Sequence, residues 1–454
     1  MAKKPAAFRI GKVKGYIRGA IWYLAYHEDG RRRRPRVGPD KEAARQLAAQ
    51  VNAQLQTGAP AALSFEPIGI AELRQRWLDH HEHVLRSSVQ TINRYRTATD
   101  HLLRYLESRP VRHASHFQDR HAEQFIRHLR GLSVSPNGHA HTLKRPLMDK
   151  GLRYILECCR ALFNFAIKRR HLPPYASNPF HVLEIDRIPI EQARPITLFT
   201  AEQERAFFVA CDDWQFPVFL TLALTGLRPG ELAHLLLPDD LDLDQALLRV
   251  RNKVGLAWQI KTRNERDIPL VPELVDVLRV SLKGRRTGPV FLRRSKCGPM
   301  SWPTTLDVSK TALERELAVR VVAHEREQGQ LPTRLERSRL ARRVWQEIGI
   351  VKGDRIRVEF MRLTRAIGLP TCTAPKVLRH QFATTLQEGR VDPLIRNELM
   401  GHVAAGERSA GHGLGMTSVY THTRPETRRE QLLSALASRE AVAVARNWLK
   451  HHSV

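Results

Sequence analysis

The sequence has few cysteines, few acidic residues and no long apolar run, and each shortage closes off a class of function. Its 454 residues hold five cysteines, Cys158, Cys159, Cys211, Cys297 and Cys372. The number is odd and no pair has CxxC spacing, so neither a disulfide framework nor a cysteine zinc site is expected. HExxH is absent too, and the cluster His80, His81 and His83 reads as surface rather than as metal ligands. No apolar stretch is long enough to span a bilayer, and the opening MAKKPAAFRI lacks the apolar core of a signal peptide. The expectation is a protein of the reducing cytoplasm with no membrane partner and no bound metal.

Acidic residues number 46 against 74 lysines and arginines, a formal net charge of +28 and a pI near 10.7. Such an excess favours a polyanion, and nucleic acid is the usual one. Hydrophobic residues make up 42%, enough for a folded core, and the length allows two to four domains.

The amino-terminal 38 residues alternate like short strands, with a turn signal at Asp29-Gly30 and the run Arg31, Arg32, Arg33 and Arg34 behind it. KEAARQLAAQVNAQL (41–55) reads as a helix, and 57–67 as a linker. Helical periods follow. Ile70, Leu73 and Trp77 share one face, and Ser88 can cap a helix carrying Ile92, Leu102, Leu103 and Leu106. Phe125 and Leu129 mark a third helix. Leu152, Ile155, Cys159, Leu162 and Ala166 mark a fourth. The polar face of this bundle carries Arg94, Arg160, Lys168 and Arg169. A proline-rich break at 171–180 opens a second linker, and Thr200 with Gln203 makes a capping box. The fold class is mainly α with small β-sheets (α+β). The boundaries are 1–60 for a sheet-and-helix domain, 66–180 for the bundle and 187–454 for the remainder, with a basic helical insertion near 297–365.

The chemistry gathers in five segments. In TGLRPGEL, Gly226 ends one helix and Pro229 suits the first turn of the next, so Arg228 stands at a helix start that favours an anion. Glu231 is near enough to orient its guanidinium. ALLRVR (246–251), AWQIK (257–261) and DIPLV (267–271) read as three strands. Lys261 lies at their turn, with Lys253, Arg263 and Arg266 as nearby alternatives. PKVLRHQFATTL supplies Lys376, Arg379 and His380 on an apolar-periodic helix. MGH supplies His402, and SVYTHT supplies Tyr420, with His412 between them; PETRREQLLSALASREAVAVARNWL (425–449) behind them reads as one helix. Two arginines can hold one phosphate by bidentate hydrogen bonds. A lysine can protonate a departing oxygen, and a tyrosine can attack phosphorus. This is a toolkit for breaking and rejoining a DNA strand without a cofactor.

In type and order these segments resemble the tyrosine recombinase (phage integrase) family, strongly from the second linker onward and more loosely before it. The resemblance implies a site-specific recombinase for a phage or other mobile element, working through a 3′-phosphotyrosyl intermediate. It implies Tyr420 as nucleophile, Arg228, Arg379 and His402 on the phosphate, and Lys261 as general acid on the 5′ oxygen. Residues 1–60 would be an arm-type DNA-binding domain and 66–180 a core-binding domain. Lys376 stands where the family commonly has a histidine. The separation of His402 from Tyr420 is longer than usual, which keeps His412 as an alternative. Implied partners are double-stranded DNA, three further copies in a homotetramer on it, and DNA-bending accessory proteins, in a cytoplasmic, nucleoid-associated setting. A type IB topoisomerase shares the chemistry, and a DNA-binding regulator without catalysis shares the charge.

Overall fold

The computed structural model describes residues 8–28, 30–58, 65–135, 141–173, 176–191, 198–297, 308–402 and 423–452. His412 and Tyr420 lie outside them. The chain falls into two compact units, Met1–Ala193 and Arg194–Val454. It is mainly helical with small antiparallel sheets, as the periodicities predict.

In the first unit, strands β1 (Phe8–Ile10), β2 (Val13–Arg18), β3 (Ile21–Glu28), β4 (Arg31–Arg33) and β5 (Arg36–Gly38) form one sheet in which β4 and β5 both pair with β3. Strand alternation puts Val13, Leu24 and Tyr26 on one face, where they bury against Ala48 and Val51 of helix α1 (Lys41–Gln56). Asp40 caps that helix by accepting from Glu42 N at 2.8 Å.

Helices α2 (Ile70–Asp79), α3 (Val89–Leu106), α4 (Asp119–Arg130) and α5 (Asp149–Lys168) follow, with the short pair β6 (Ser133–Val134) and β7 (Arg145–Pro146) ahead of α5. Ser88 caps α3 through Thr91 N at 3.1 Å. The apolar stripes meet in one core that includes Cys158 and Cys159, and Ile185 and Ile188 of the following segment join it. His80 and His81 do not lie on open surface as expected. His81 packs against Trp77 and Tyr95 with ring centroids 4.9 and 4.8 Å away, and His80 against Phe165 at 5.3 Å. Rings packed against aromatic neighbours gain from stacking what they give up in hydration. No group of three metal-ligating side chains gathers among the described residues.

The second unit is built around α7 (Gln215–Thr225), all of whose residues are buried. Around it stand α6 (Ala201–Val209), α8 (Pro229–Ala233), α9 (Pro272–Leu282), α12 (Gly353–Ala366), α13 (Lys376–Glu388) and α14 (Pro393–Met400). Strands β8 (Leu236–Leu237) and β12 (Gly288–Pro289) pair with each other. The three-stranded sheet consists of β9 (Leu241–Asp242), β10 (Leu247–Val250) and β11 (Arg266–Pro269).

Three expectations change here. AWQIK is not a strand: a 3₁₀ turn at Val254–Leu256 and left-handed Ala257 bend the chain, and the Asn252 side chain takes the Ile260 N–H at 3.0 Å. Less of 297–365 stands apart than the whole segment: among its described residues α10 (Lys310–Gln328) and α11 (Arg334–Glu347) pack in a separate cluster, whereas Ile356, Phe360 and Leu363 of α12 belong to the main core. The carboxy-terminal helix is two helices, α15 (Pro425–Leu436) and α16 (Glu440–His452), because Arg439 turns inward to a buried ion pair with Glu204. Both helices bury their apolar side chains in this unit's own core.

Candidate active site

Gly226 ends α7 in the left-handed region (φ +62°), and an added Cβ would lie 2.4 Å from Phe382 of α13, so only glycine fits this turn. The chain reverses and Arg228 becomes the N-cap of α8, with Pro229 at N1. Because α8 is a single turn, its dipole adds little. Its cap is instead supplied by Glu231, which accepts from Arg228 N at 3.0 Å and from Arg228 Nη1 at 2.7 Å. Glu231 also accepts from Arg266 Nη2 at 2.6 Å, both side chains being buried. Burial pushes the Glu231 carboxyl up, but the hydrogen bond and charge of Arg266, and then Arg228, outweigh it and hold it below the ordinary range.

Arg379, one turn into α13, is held by two carbonyls: Nη1 donates to Gly226 O and Nη2 to Met400 O. Nη2 also meets His402 Nε2 at 3.3 Å. Since a guanidinium only donates, Nε2 accepts and Nδ1 carries the imidazole proton. Burial, together with the Arg228 and Arg266 charges and against Glu231, brings Arg379 down to about 10. Burial, then Arg379, Arg228 and Arg266, lower His402. Helix α14 places His402: Asp392 caps its start, and Gly401 ends it at φ +62° so that His402 N returns to Asn397 O at 3.0 Å.

Arg228, Arg379 and His402 therefore converge. Lys261 is exposed in the β10–β11 connection, and among the described residues it has no hydrogen-bond or ion-pair partner. Its neighbour Thr262 donates to Gly401 O at 3.1 Å, which ties the connection to the end of α14. Lys376 is the first residue of α13 and is exposed; burial, then Lys376 and Arg379, lower His380 on the same helix. Between α13 and α14 lies a cleft of about 500 Å³, lined by His380, Thr384, Arg396, Met400 and His402.

The alternatives to Lys261 are sorted by burial. Lys253 is sequestered with Asp240 at 2.8 Å, both almost fully buried. Arg266, another nearby alternative in the sequence, is internal: besides Glu231 it donates from Nε to Leu399 O at 2.9 Å. It thus links the strand β11, the Arg228 helix and the helix bearing His402. A signal existed, since Arg266 shares strand parity with the apolar Ile268 and Leu270.

The other predicted contacts are less uniform. In the sheet unit, the face away from α1 carries Lys14, Tyr16, Arg18, Tyr23, His27 and Arg32, as the register Lys14↔Ala25, Tyr16↔Tyr23, Arg18↔Ile21 and Arg32↔His27 requires. Tyr16 and Tyr23 stack at 5.6 Å. Arg31 and Arg34 are exposed beside it, but Arg33 turns to Glu28 at 3.4 Å. On the bundle, Arg94 lies over the Tyr154 ring at 4.5 Å, Arg169 over Phe165 at 5.5 Å, and Lys168 is exposed. Arg160 pairs with Asp186 at 3.1 Å, as does Arg153 at 3.3 Å.

No family model matches the sequence, and no curated protein matches it. Solved structures do. The chain is similar to the Tn1549 transposon integrase in complex with transposon right end DNA, at 18% identity over 82% of this chain and 100% of that one, with a TM-score of 0.48. It is similar to a lambda integrase tetramer bound to a Holliday junction, at 17% identity over 88% and 98% of the two chains, TM-score 0.45. It is also similar to the integrase from mycobacterium phage Brujita, at 15% identity over 82% and 96%, TM-score 0.33.

Proposed function

We propose that the protein is a tyrosine-type site-specific DNA recombinase that integrates or excises a mobile element. The observation carrying this reading is the cluster of Arg228, Arg379 and His402. Their cationic and donor groups converge on one place, and the carboxylate of Glu231 beside them is already engaged by Arg228 and Arg266. Such a cluster is preorganised for an anion, and rigid donors aimed at a phosphoryl group stabilise the charge that develops there. The net charge of +28 supports a DNA phosphate as that anion.

In the proposed reaction the Tyr420 oxygen bonds to phosphorus, and the bond from phosphorus to the 5′ oxygen breaks. Arg228, Arg379 and His402 hold the non-bridging oxygens. Lys261 gives its proton to the departing 5′ oxygen, and the phenolic proton leaves to solvent. Lys376 adds positive charge one turn before Arg379. A 5′ hydroxyl of a partner strand then reverses the step, so bond energy is conserved and no nucleotide or metal is consumed. Exchange between two duplexes calls for four such sites, hence a homotetramer on double-stranded DNA. The open sheet face of the amino-terminal unit, basic with a stacked tyrosine pair, serves as a second DNA contact in this reading.

Covalent trapping tests it. The protein is incubated in EDTA with nicked duplexes drawn from DNA flanking its own gene, beside Tyr420→Phe. An SDS-resistant adduct that vanishes in the variant is the expected result. An adduct that persists in Tyr420→Phe moves the nucleophile elsewhere, and tight binding with no adduct on any of these duplexes removes catalysis from the reading.

A further inference from the structure

The helices α10 and α11 stand apart from the main core and pack instead on two parts of the site. Leu313, Leu317, Ala341, Val344 and Trp345 bury against Leu236, just after α8, and against Leu256, in the segment that leads to Lys261. Trp345 donates its indole N–H to Leu256 O at 3.2 Å. Its ring stands edge-on to His234 at 4.8 Å, and His234 stacks flat on Trp258 at 4.8 Å and 18°. His234 is the last residue of the turn that begins with Arg228, and it is anchored to that turn by Nδ1 donating to Gly230 O at 2.7 Å. Burial, with Lys253 nearby and against the Gly230 bond, keeps this imidazole near pKa 4, so it is neutral in the stack at physiological pH.

Trp258 is itself closed into a small loop. Its N–H donates to Lys253 O and Lys253 N–H donates to its carbonyl, both at 3.0 Å. Lys253 lies over the Trp258 ring at 5.3 Å while its ammonium pairs with Asp240. From this loop the chain passes through Ile260, buried in the main core, and emerges at Lys261. Gly255 completes the contact: a Cβ there would fall 2.4 Å from Glu314 Oε1 of α10. One aromatic stack therefore connects the inserted helices, the Arg228 turn and the root of the Lys261 connection.

We propose that the inserted pair α10–α11 positions the general acid: through Trp345, Trp258 and His234 it sets where Lys261 meets the departing 5′ oxygen. The inference rests on the strand-transfer reading above. Trp345, Trp258 and His234 touch no reacting atom in it, and they act through the placement of the lysine. A basic helical insertion without this role would contribute only bulk stability or surface charge. The stack distinguishes the two, because it ends on the segment bearing Lys261.

A leaving group that needs no proton provides the test. A 5′-bridging phosphorothiolate departs as a thiolate, whose conjugate thiol has a pKa near 8.5, so general-acid help becomes dispensable. Wild type, Lys261→Ala, Trp345→Ala and the milder Trp345→Phe are compared on one duplex from DNA flanking the gene, made with oxygen or sulfur at the bridging position. Far-UV spectra and DNA affinity are measured alongside. General acids contribute roughly 10²- to 10⁴-fold, so Lys261→Ala falls by about that factor on the oxygen substrate and recovers on sulfur. Trp345→Ala is expected to fall roughly 10- to 100-fold on oxygen and less than about 3-fold on sulfur, with Trp345→Phe intermediate. Equal losses on both substrates in Trp345→Phe, which keeps an aromatic ring in place, overturn the inference, as does the absence of any loss in Trp345→Ala. Wild type that forms no adduct on either substrate overturns the strand-transfer reading itself, and the inference falls with it.

Discussion

The pair Glu231–Arg266 offers the most demanding check of this site, because it is predicted to be a support that never touches DNA. Both side chains are at most 4% exposed and their charged atoms are 2.6 Å apart. Removing one member of a buried, hydrogen-bonded pair leaves the other charge uncompensated, at a cost of about 3–5 kcal/mol. Arg266→Met also releases the Leu399 carbonyl. Glu231→Gln and Arg266→Met should therefore each lose about 3–4 kcal/mol, and the double variant little more than either, a coupling of about 3 kcal/mol. Urea unfolding read by hydrogen exchange of peptides within residues 215–290 reports the second unit alone. The pH dependence has a fixed sign. The Glu231 carboxyl is held below its ordinary 4.5 in the fold, so its contribution is present above pH 4.5 and is lost as pH falls through the lower folded value. Glu231→Gln should lose that acid dependence. Additive single effects, with coupling under about 0.5 kcal/mol, would refute the shared ion pair and with it the account of how Arg228 is held.

Four further outcomes are expected. Gly401→Ala should destabilise by at least about 1 kcal/mol, since φ is +62° and the new Cβ would sit 2.8 Å from Arg266 Nη1; an unchanged melting temperature would contradict the turn. His402 should titrate below 6.5 in the free protein, staying neutral at pH 7, and rise when inorganic phosphate or DNA is added; histidine NMR giving a free midpoint at or above 6.5 argues against its cationic surroundings. Arg439→Ala should cost about 3–5 kcal/mol by stranding buried Glu204, visible as a lower urea midpoint. Arg32→Ala should reduce the salt slope of DNA binding by about one counterion, and Arg33→Ala by clearly less because Glu28 already holds it; equal slopes would remove the open sheet face as the contact.

Much of the fold was readable because it depends on local rules. Ser88, the Thr200–Gln203 box and the Gly226–Pro229 punctuation each act within a few residues, and the structure keeps all three. Helical stripes needed only periodicity. The failures share one cause. AWQIK has strand-forming residues, but Trp258 is claimed by His234 and, through it, by Trp345, far along the chain. The segment 425–449 has unbroken helical composition, but Arg439 finds Glu204 at the other end of the unit and the helix stops there. In both places a tertiary partner outweighs a propensity worth only tenths of a kcal/mol per residue.

The same asymmetry governs the site. Lys253, Lys261 and Arg266 are alike as sequence: basic residues near one turn. What separates them is the position of two carboxylates that no spacing rule connects to them. Asp240 withdraws Lys253 into the interior, and Glu231 withdraws Arg266. Each withdrawal takes one cation into the interior, while Arg228, Arg379, Lys261 and Lys376 stay partly or fully exposed. A net charge of +28 spread evenly over a surface would bind any polyanion weakly and without register. In the proposed reading, buried carboxylates convert that excess into a local, oriented one, because each removes a cation that would compete for the same phosphate. In that reading charge counting points to the class of partner, and the pairing of internal acids decides which cations are left to meet it.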